Sequence, residues 1–501
     1  MPRTPKQRVP NRTDSGNAEL FATLYAEKIR FDHKQGRWLI WNQALSRWME
    51  DRQRKVRILA KHAARHRAKV ALEIDDEDKS KEEVKWAFQS EGCYRIDAAL
   101  ELAKSETPIS DDGEGWDSDP WMFGVANGIV DLRTGTLRPA TQQDRITKFS
   151  PVAFDANARC VRWEQFLEEI FGADADLKRY VQKTIGYSLT GCTREQCLFA
   201  CYGEGSNGKT TFLEITLYLQ GHYGVDLSFS VLEAKPNGSA PGEGVNLPGA
   251  RFAKAVETRE GKQLDEARIK AWTGGDTITV RPLYRNSFSF QPTHKLWLAF
   301  NHKPLISDDS PAMWRRIRLI PFLYKFEGQQ KDSDLVEKLK AEASGILNWA
   351  VEGCLAWQKD GLKTPKLVEQ ATSEYEAESD SLAPFFEDCC ELDMSFQLPK
   401  TELRNAYQDW CRANKEKKPV PRKAFAKKMK SRGFGEGSTG SVRFWTGLRV
   451  RTTDTTDATK GCFQEFPIEQ PSIEKSGKQG QIASVASEKL PSPEGLLKLA
   501  R

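Results

Sequence analysis

Apolar positions in the middle of the chain form short runs that alternate with segments of helical periodicity. The runs LFACY (198–202), RFAKAV (251–256) and KLWLAF (295–300) are each followed by polar residues. Such runs are typical of strands buried in a parallel sheet, and the segments between them repeat apolar residues at helical spacing. The pattern predicts an α/β core over 191–330, built as a parallel sheet with flanking helices.

Composition changes along the chain predict what surrounds this core. The start is polar, basic and proline-bearing, and the end is rich in Ser, Gly and Gln, so both are expected to be disordered. Turn signals and helical spacing divide the remainder. The predicted segments are a disordered leader (1–18), an N-terminal α+β unit (19–150), a helical collar (151–190), the core (191–330), a helical lid and linker (331–381), a winged-helix-like basic domain (382–452) and a disordered tail (453–501).

Several local expectations follow from the same patterns. Residues 20–49 predict a short hairpin followed by a helix, and residues 272–292 predict an alternating hairpin. In the C-terminal domain, FFEDCCEL (385–392) is expected to be helical and GSVRFWTGLRV (440–450) to form a pair of strands. The acidic segment 111–119 is expected to be a solvated loop, because no apolar strand holds its carboxylates as metal ligands.

Composition and charge narrow the classes of function. No apolar run approaches the roughly 18 to 20 residues that cross a bilayer, so a cytoplasmic protein with no membrane partner is expected. The ten cysteines lie scattered without C-x-x-C pairs, which argues against a structural zinc. Residues 400–451 carry 15 Lys/Arg and four Asp/Glu, an excess of 11 positive charges. A local excess of this size favours DNA as a partner.

The sharpest motif follows the first apolar run. Gly203-x-x-x-x-Gly208-Lys209-Thr210 lies between a predicted strand and a predicted helix, the context of a phosphate-binding loop. Glycines let backbone N–H groups converge on phosphates, the lysine neutralises charge, and the threonine hydroxyl can bind Mg²⁺. ATP and Mg²⁺ are the expected cofactors, with Lys209 catalytic and Thr210 a metal ligand. The predicted nucleotide-binding residues are Gly203, Glu204, Gly205, Ser206, Asn207, Gly208, Lys209, Thr210 and Thr211.

Polar residues also end the second and third apolar runs. Phosphoryl transfer needs an acidic group for Mg²⁺ or the attacking water, and Glu257 follows the second run directly. We expect Glu257 to serve as a catalytic residue and metal ligand, with Glu260 as its acidic neighbour. Asn301 ends the third run and is suited to orient the water or sense the γ-phosphate. The alternative is that Glu257 and Glu260 are ordinary surface glutamates and that Asn301 only turns the chain after its strand.

Basic residues mark two further segments. Arg281, Tyr284 and Arg285 lie near the turn of the predicted hairpin, where they would grip the DNA backbone and stack on bases. An ordinary structural hairpin stays possible. Arg315 and Arg316 precede a further apolar strand and are expected to act catalytically, as a finger that reaches the γ-phosphate of a neighbouring subunit. Salt bridges at a subunit interface are the alternative.

In this order the motifs resemble those of superfamily 3 helicases, specifically the phage, plasmid and poxvirus primase-helicase family. The resemblance spans about residues 127–361 and rests on NGIVDLRTG, GEGSNGKTTF, ETREGKQLDEARIKAWTGGDTI, LWLAFNHKP and WRRIRLIPF. It implies an AAA+-like P-loop ATPase core, a hexameric ring with ATP sites at subunit interfaces, and a DNA-gripping hairpin. Residue by residue, it implies phosphate and Mg²⁺ roles for Lys209 and Thr210, the acidic motif at Glu257, the sensor at Asn301 and the finger at Arg315 or Arg316.

The leading hypothesis is therefore an ATP-dependent DNA helicase that acts in replication of a phage, plasmid or other mobile element. It would act on single-stranded or forked DNA, as a homo-hexamer, with a separate primase or initiator as a further partner. One alternative is a primase-polymerase fused to a helicase core. The residues before the resemblance show no zinc-ribbon cysteine set, so primase activity is not expected. The other alternative is a DNA-binding replication initiator that ATP regulates.

Overall fold

The computed structural model describes most of the chain, and these residues form two compact units. The first unit comprises the described residues of Met1–Pro304 and Arg316–Glu369, and the second those of Leu305–Arg315 and Gln370–Arg501. Within the described part of the chain, no helix is both long and apolar enough to cross a membrane. The described residues are 10–235, 242–257, 259–284, 286–307, 310–328, 331–416 and 419–451.

The N-terminal part of the first unit combines helices with two small sheets. One sheet has the order β3-β2-β1-β4 and the other the order β5-β6-β7. Alternation of side chains along a strand buries Leu39 and Trp41 on one face of the first sheet. The elements are α1 (Asp14–Tyr25), β1 (Ile29–Asp32), β2 (Arg37–Asn42), β3 (Arg47–Glu50), α2 (Lys55–Ala71), α3 (Glu77–Ser90), α4 (Cys93–Ala103), β4 (Ser110–Asp111), β5 (Met122–Val125), β6 (Gly128–Asp131) and β7 (Thr136–Arg138).

Helix α1 corrects two of the expectations from sequence. It occupies part of the predicted leader, and it precedes three strands where a hairpin followed by a helix was predicted. The Thr13 hydroxyl accepts a hydrogen bond from the Gly16 N–H at 3.0 Å and caps the helix. Ala18, Phe21 and Ala22 are buried, so packing selects a helix that the polar composition alone does not indicate. Residues 1–9 of the predicted leader lie outside the described residues.

The acidic segment 111–119 begins with the last residue of strand β4 and continues as a loop, and part of it is buried. Both carboxylate oxygens of Asp111 accept hydrogen bonds from the Arg145 guanidinium at 2.8 Å. The hydrogen bonds from Arg145, Gly113 and Trp116 outweigh burial and hold the pKa of Asp111 below its usual range. The expectation of a fully solvated loop was therefore wrong for Asp111, which an ion pair from a distant residue stabilises.

The centre of the first unit is a five-stranded parallel sheet, and its strands have the order β14-β8-β13-β10-β9. Strand β13 is buried at every position, as expected for a strand covered on both faces. These observations support the α/β prediction. The elements of this region are α5 (Val161–Phe171), α6 (Ala175–Leu189), β8 (Leu198–Tyr202), α7 (Lys209–Gln220), β9 (Gly224–Ser228), β10 (Phe252–Val256), α8 (Glu266–Gly274), β11 (Ile278–Val280), β12 (Phe288–Phe290), β13 (Lys295–Phe300) and β14 (Ile317–Pro321).

Helices pack on the sheet through amphipathic faces. In α5, Trp163, Phe166, Leu167 and Ile170 are buried at the spacing of one helical stripe. Gly172 ends the helix with a φ of +66°, a conformation that favours glycine. Beyond the sheet, the chain continues in further helices. They are α10 (Leu335–Ala341), α11 (Ala343–Asp360) and α12 (Lys366–Glu378).

A buried arginine joins the N-terminal part of the first unit to the sheet. Arg251, at the amino end of β10, donates to the carbonyl oxygens of Leu189 and Met122, both at 2.7 Å. Nearby, the Tyr223 hydroxyl accepts a hydrogen bond from the Gly124 N–H at 3.0 Å. Burial lowers the pKa of Arg251, although the neighbouring tyrosine opposes the shift. These contacts explain why the N-terminal segment and the core belong to one compact unit.

The predicted hairpin of residues 272–292 is shorter than expected. Its first residues belong to helix α8, whose N-terminus is capped by Asp265 through a 3.0 Å hydrogen bond from the Arg268 N–H. Strands β11 and β12 pair in antiparallel fashion from Ile278 opposite Phe290 to Val280 opposite Phe288. The helix continues to Gly274 and ends at Gly275, whose φ of +83° favours glycine, so only the later part of the segment forms a hairpin.

The second unit contains helices and a three-stranded antiparallel sheet of order β15-β17-β16. Its core includes Phe385, Tyr407, Phe425, Met429 and Trp445. The apolar faces of three helices and the sheet therefore share one interior. The elements are α9 (Pro311–Trp314), α13 (Ala383–Cys389), β15 (Cys390–Pro399), α14 (Lys400–Ala413), α15 (Arg422–Ser431), β16 (Gly435–Thr439) and β17 (Val442–Val450).

Two local predictions in this unit were wrong. The helix expected over 385–392 ends at Cys389, and the following residues begin strand β15, which pairs with β17. The segment 440–450 forms one strand instead of two. Gly440, with a φ of +60°, turns the chain before this strand, so β17 pairs with the earlier β16. The sequence pattern missed both features because β15 and β16 each pair with β17, and these pairings join residues outside the two segments.

Candidate functional site

The glycine-rich loop between β8 and α7 follows a backbone path that small residues permit. Gly205 and Gly208 have φ values of +98° and +81°, in the left-handed region that favours glycine. A Cβ atom on Gly203 would lie 2.1 Å from Nδ2 of Asn207 and 2.4 Å from the carbonyl oxygen of Phe322. The strand, loop and helix thus have the geometry that the phosphate-loop motif predicts.

Lys209 is the first residue of α7, and its side chain is buried beneath the loop. Its Nζ donates to the Gly203 carbonyl oxygen at 2.6 Å, to Oδ1 of Asn207 at 2.8 Å and to Oδ1 of Asn301 at 3.0 Å. Burial lowers the pKa of Lys209 to about 8, although the nearby Cys201 raises it. The ammonium group is therefore held by three neutral oxygens.

Glu257 lies at the carboxyl end of β10 and is only 6% exposed. Its backbone N–H donates to the Ala299 carbonyl oxygen at 2.8 Å, which fixes it beside β13. Oε1 accepts a hydrogen bond from the Arg259 N–H. Among the described residues, Oε2 is buried without a hydrogen-bond partner. An unpaired buried carboxylate oxygen is costly and is suited to bind a cation or a water molecule.

Strand order brings these groups to one edge of the sheet. Lys209 comes after β8, Asn301 after β13 and Glu257 after β10. Because β13 lies between β8 and β10, Asn301 follows the middle strand of the three. The strands are parallel, so their carboxyl ends share an edge, where ligands bind in open α/β sheets. Glu260 is exposed on the turn beyond Glu257. Lys209, Glu257 and Asn301 thus lie at a common edge of the sheet, next to the glycine-rich loop.

The remaining residues of the predicted phosphate loop are open to solvent to different degrees. Glu204, Ser206 and Thr210 are exposed, whereas Gly205 and Thr211 are half-buried. Thr210 lies in the first turn of α7, where backbone N–H groups have no acceptor within the helix. The helix has 12 residues, so its N-terminus carries the partial positive charge that attracts anions.

A segment that sequence reasoning missed closes the other side of the loop. The Phe322 N–H donates to the Tyr202 carbonyl oxygen at 2.7 Å, and its carbonyl oxygen accepts from Nδ2 of Asn207 at 3.2 Å. Four residues later, the Phe326 N–H donates to the Ser206 carbonyl oxygen at 2.8 Å. The run of aromatic residues in PFLYKF (321–326) was the available signal for this segment.

The tip of the β11–β12 hairpin projects into solvent. Tyr284 is fully exposed and has a φ of +59°, and Arg281 is exposed nearby. Arg285, the third predicted DNA-binding residue, lies outside the described residues. Leu283 and Phe288 are also exposed apolar residues of this hairpin, and the sequence pattern did not single them out. An exposed aromatic at a hairpin tip is suited to stack on a ligand that has a π face.

The two candidate finger arginines occupy different surroundings. Arg316 is buried, and its Nε donates to the Thr273 hydroxyl at 3.1 Å. Arg315 is exposed and belongs to the second compact unit. A group that acts across a subunit boundary must reach the surface, so Arg315 fits that role better than Arg316.

Profiles of three protein families match successive parts of the chain. Residues 18–172 match a family described as D5 N-terminal like, and residues 201–316 match a family of unknown function. Residues 377–461 match a family described as poxvirus D5 protein-like. The matches follow the chain from the N-terminal sheets through the parallel sheet to the second unit.

Curated relatives come from large DNA viruses and a virophage. A "putative helicase" of Acanthamoeba polyphaga mimivirus is 30% identical over 295 residues, covering 54% of this chain and 31% of the relative. A "putative helicase" of Frog virus 3 (isolate Goorha) is 24% identical over 387 residues, covering 60% of this chain and 40% of the relative. A third, from Sputnik virophage, is 21% identical, and the match covers 56% of this chain and 38% of the relative. The chain spans about a third of the length of the curated relatives it matches.

Fold and site together define a mixed α/β protein whose parallel sheet presents a glycine-rich loop at its carboxyl edge. The family matches and the viral relatives agree with the sequence motifs: the chain is similar to D5-type proteins and to putative helicases of large DNA viruses, and the superfamily 3 primase-helicase family fits it. A solved structure of the NrS-1 C-terminal region is 10% identical and covers 74% of this chain and 78% of that one, with a TM-score of 0.44.

Proposed function

We propose that the chain is an ATP-dependent DNA helicase with an AAA+-like P-loop ATPase core, acting in replication of a viral or other mobile element. One observation carries the proposal: Lys209, Asn301 and Glu257 follow neighbouring parallel strands and lie at one edge of the sheet. A cation, an amide and a carboxylate are the groups that phosphoryl transfer requires around the γ-phosphate. The virus relatives, which bear the name helicase, support the same class of enzyme.

The residues at this edge fit ATP and Mg²⁺. The glycines leave the loop backbone open to phosphates, and Lys209 supplies the positive charge that they require. Thr210 offers a hydroxyl and Glu257 an unpaired carboxylate oxygen, both oxygen donors of the kind Mg²⁺ prefers. Bound Mg²⁺ would neutralise charge that develops on the phosphates, while Glu257 orients water and Asn301 senses the γ-phosphate.

A ring of subunits would complete the site. In this proposal Arg315 reaches the nucleotide of the next subunit, because it is exposed whereas Arg316 is buried against Thr273. An arginine supplied in trans stabilises charge in the transition state. A hexamer is the assembly that the resemblance implies.

Two surfaces would contact DNA. The first is the hairpin tip, with Arg281 and the fully exposed Tyr284. The second is helix α15 of the second unit, which exposes Arg422, Lys423 and Lys427. The order of elements there, with three helices and a final hairpin, fits a winged helix, in which the helix before the hairpin faces DNA.

The direct test is ATP hydrolysis and strand displacement on 3′- and 5′-tailed substrates. Single-stranded DNA should stimulate hydrolysis by the wild type, and one tailed substrate should be unwound. Lys209→Ala should abolish both activities with the fold intact, because it removes the charge that neutralises the phosphates. Near-normal turnover by Lys209→Ala would contradict the site assignment. Hydrolysis without displacement on any substrate would favour the ATP-regulated initiator.

A further inference from the structure

We propose that the Tyr324 ring, set against Gly172, is the platform on which the base of the bound nucleotide stacks. The inference rests on the proposed function, since it extends the phosphate site at Lys209 to the other end of the same ligand. It concerns the segment 322–328, which follows β14 and of which only Phe322 belongs to a quoted motif.

The first step is that this segment is fixed to the phosphate loop. Two hydrogen bonds join it to the loop, from Asn207 Nδ2 to Phe322 O at 3.2 Å and from Phe326 N–H to Ser206 O at 2.8 Å. A third, from Phe322 N–H to Tyr202 O at 2.7 Å, joins it to the end of β8. Tyr324 is two residues from Phe326, which is at most about 7 Å along the chain. The ring is therefore within a nucleoside's reach of the loop.

The second step is that helix α5 supports both the loop and the ring. A Cβ atom on Gly208 would lie 2.7 Å from Cγ2 of Ile170, so the end of α5 packs directly against the loop. Two residues later, a Cβ atom on Gly172 would lie 2.4 Å from the Tyr324 hydroxyl and 2.9 Å from Cζ. The absence of a side chain at Gly172 makes room for the hydroxyl end of the Tyr324 ring, which is held there beside α5.

The third step is that the ring remains available to a ligand. Tyr324 is 52% exposed, whereas Phe322 in the same segment is buried against Phe171 with ring centroids 4.9 Å apart. A half-exposed aromatic ring that is held at its hydroxyl end leaves ring surface open to a planar partner. Base–aromatic stacking contributes roughly 1–3 kcal/mol per base in single-stranded nucleic-acid complexes. The ligand bound by this chemistry is a nucleobase joined through its sugar to the phosphates.

The charges on the segment agree with this orientation. Lys325 pairs with Glu327 at 3.0 Å, and this hydrogen bond, with a smaller contribution from the Glu204 carboxylate of the phosphate loop, raises the pKa of Lys325. The Lys325 ammonium is thus paired within the segment, beside the half-exposed Tyr324 ring. The base site would thus be formed by a segment whose position depends on the phosphate loop itself.

The experiment compares the affinity of the full chain for ATP and for inorganic tripolyphosphate, both with Mg²⁺, by calorimetry. Tyr324→Ala should weaken ATP binding roughly tenfold, because the base no longer has a ring to stack on, and leave tripolyphosphate binding within about twofold. Tyr324→Phe keeps the ring and should bind ATP like the wild type. Tyr218→Ala, which removes a partly exposed tyrosine at the far end of α7, is the matched control and should change neither affinity.

Each other outcome has a definite meaning. If Tyr324→Ala binds ATP as tightly as the wild type, or loses ATP and tripolyphosphate affinity equally, the base platform is refuted. Lys209→Ala separates this failure from that of the proposed function, because it should lose both ligands whether or not Tyr324 stacks. If the wild type binds neither ligand, the phosphate site fails and the base site fails with it. Circular dichroism of each variant checks that the fold is retained.

Discussion

Replacing Glu257 by Gln separates the chemical role of this carboxylate from its structural role. The amide has the same shape and keeps an oxygen for the Arg259 N–H, so only the charge is removed. ATP binding should persist, because the phosphate loop and Lys209 are unchanged. Hydrolysis should fall by about 10²- to 10⁴-fold, the usual contribution of a positioned general base. This corresponds to about 3 to 5 kcal/mol in the activation free energy.

The same substitution should not lower the free energy of unfolding. Glu257 is 6% exposed, and among the described residues its Oε2 is buried without a hydrogen-bond partner. Leaving a buried polar group unsatisfied costs about 1–3 kcal/mol, and more when the group is charged. A neutral amide lowers this penalty, so Glu257→Gln is expected to be at least as stable as the wild type. The rate of hydrolysis should therefore fall, while the free energy of unfolding should stay the same or rise.

Single-turnover hydrolysis, equilibrium ATP binding and denaturant unfolding measure the three quantities. Glu214→Gln, which changes an exposed glutamate on α7, is the control and should match the wild type in all three. Hydrolysis by Glu257→Gln within about threefold of the wild type, with binding intact, would refute the catalytic role. A clear loss of stability would instead mean that the carboxylate has an attractive partner in the folded protein.

Burial lowers the pKa of Lys209 to about 8, so the free site loses its charge as pH rises through that value. ATP affinity should then fall above pH 8, and binding there should take up a proton, which calorimetry in buffers of different ionisation enthalpy measures. Exchanging Lys423 and Lys427 for Gln should reduce the salt dependence of duplex binding by about 0.9 in slope for each phosphate that is no longer neutralised. Arg315→Ala should bind ATP but hydrolyse it roughly 10³-fold more slowly, and mixing it with Lys209→Ala should restore activity in co-assembled rings. Arg316→Ala should instead lower the free energy of unfolding by about 1–3 kcal/mol in denaturant titrations, since it removes the buried hydrogen bond that a charged group donates to the Thr273 hydroxyl.

The strands that bear the site were predictable because local pattern defines them. The runs that end at Tyr202, Val256 and Phe300 are short, apolar and followed by polar residues, and all three are strands of the parallel sheet. The glycines at 203 and 208 could be interpreted for the same reason, because a strand, a tight turn and a helix occupy adjacent residues. Local periodicity and turn chemistry were sufficient wherever the relevant contacts were close in sequence.

Strand order and burial could not be predicted, because they depend on residues far apart in the chain. That β13 lies between β8 and β10 is a property of the whole sheet, and it decides that Asn301 contacts Lys209. Arg315 and Arg316 are adjacent and chemically identical, yet one is exposed and the other pairs with Thr273. Tyr324 was missed for a related reason, since its position depends on Gly172 more than 150 residues earlier.

The two charged groups of the site are each placed unfavourably in the protein without ligand, and in complementary ways. Lys209 is buried among neutral oxygens that cannot fully offset the loss of water, as its lowered pKa indicates. Glu257 is buried with one oxygen that has no partner among the described residues. A magnesium nucleotide carries the opposite charge for each, anionic phosphates for Lys209 and a cation for Glu257. Binding would therefore relieve both burial penalties at once. Part of the affinity for the nucleotide would come from removing these two unfavourable contributions to the free energy of the folded protein.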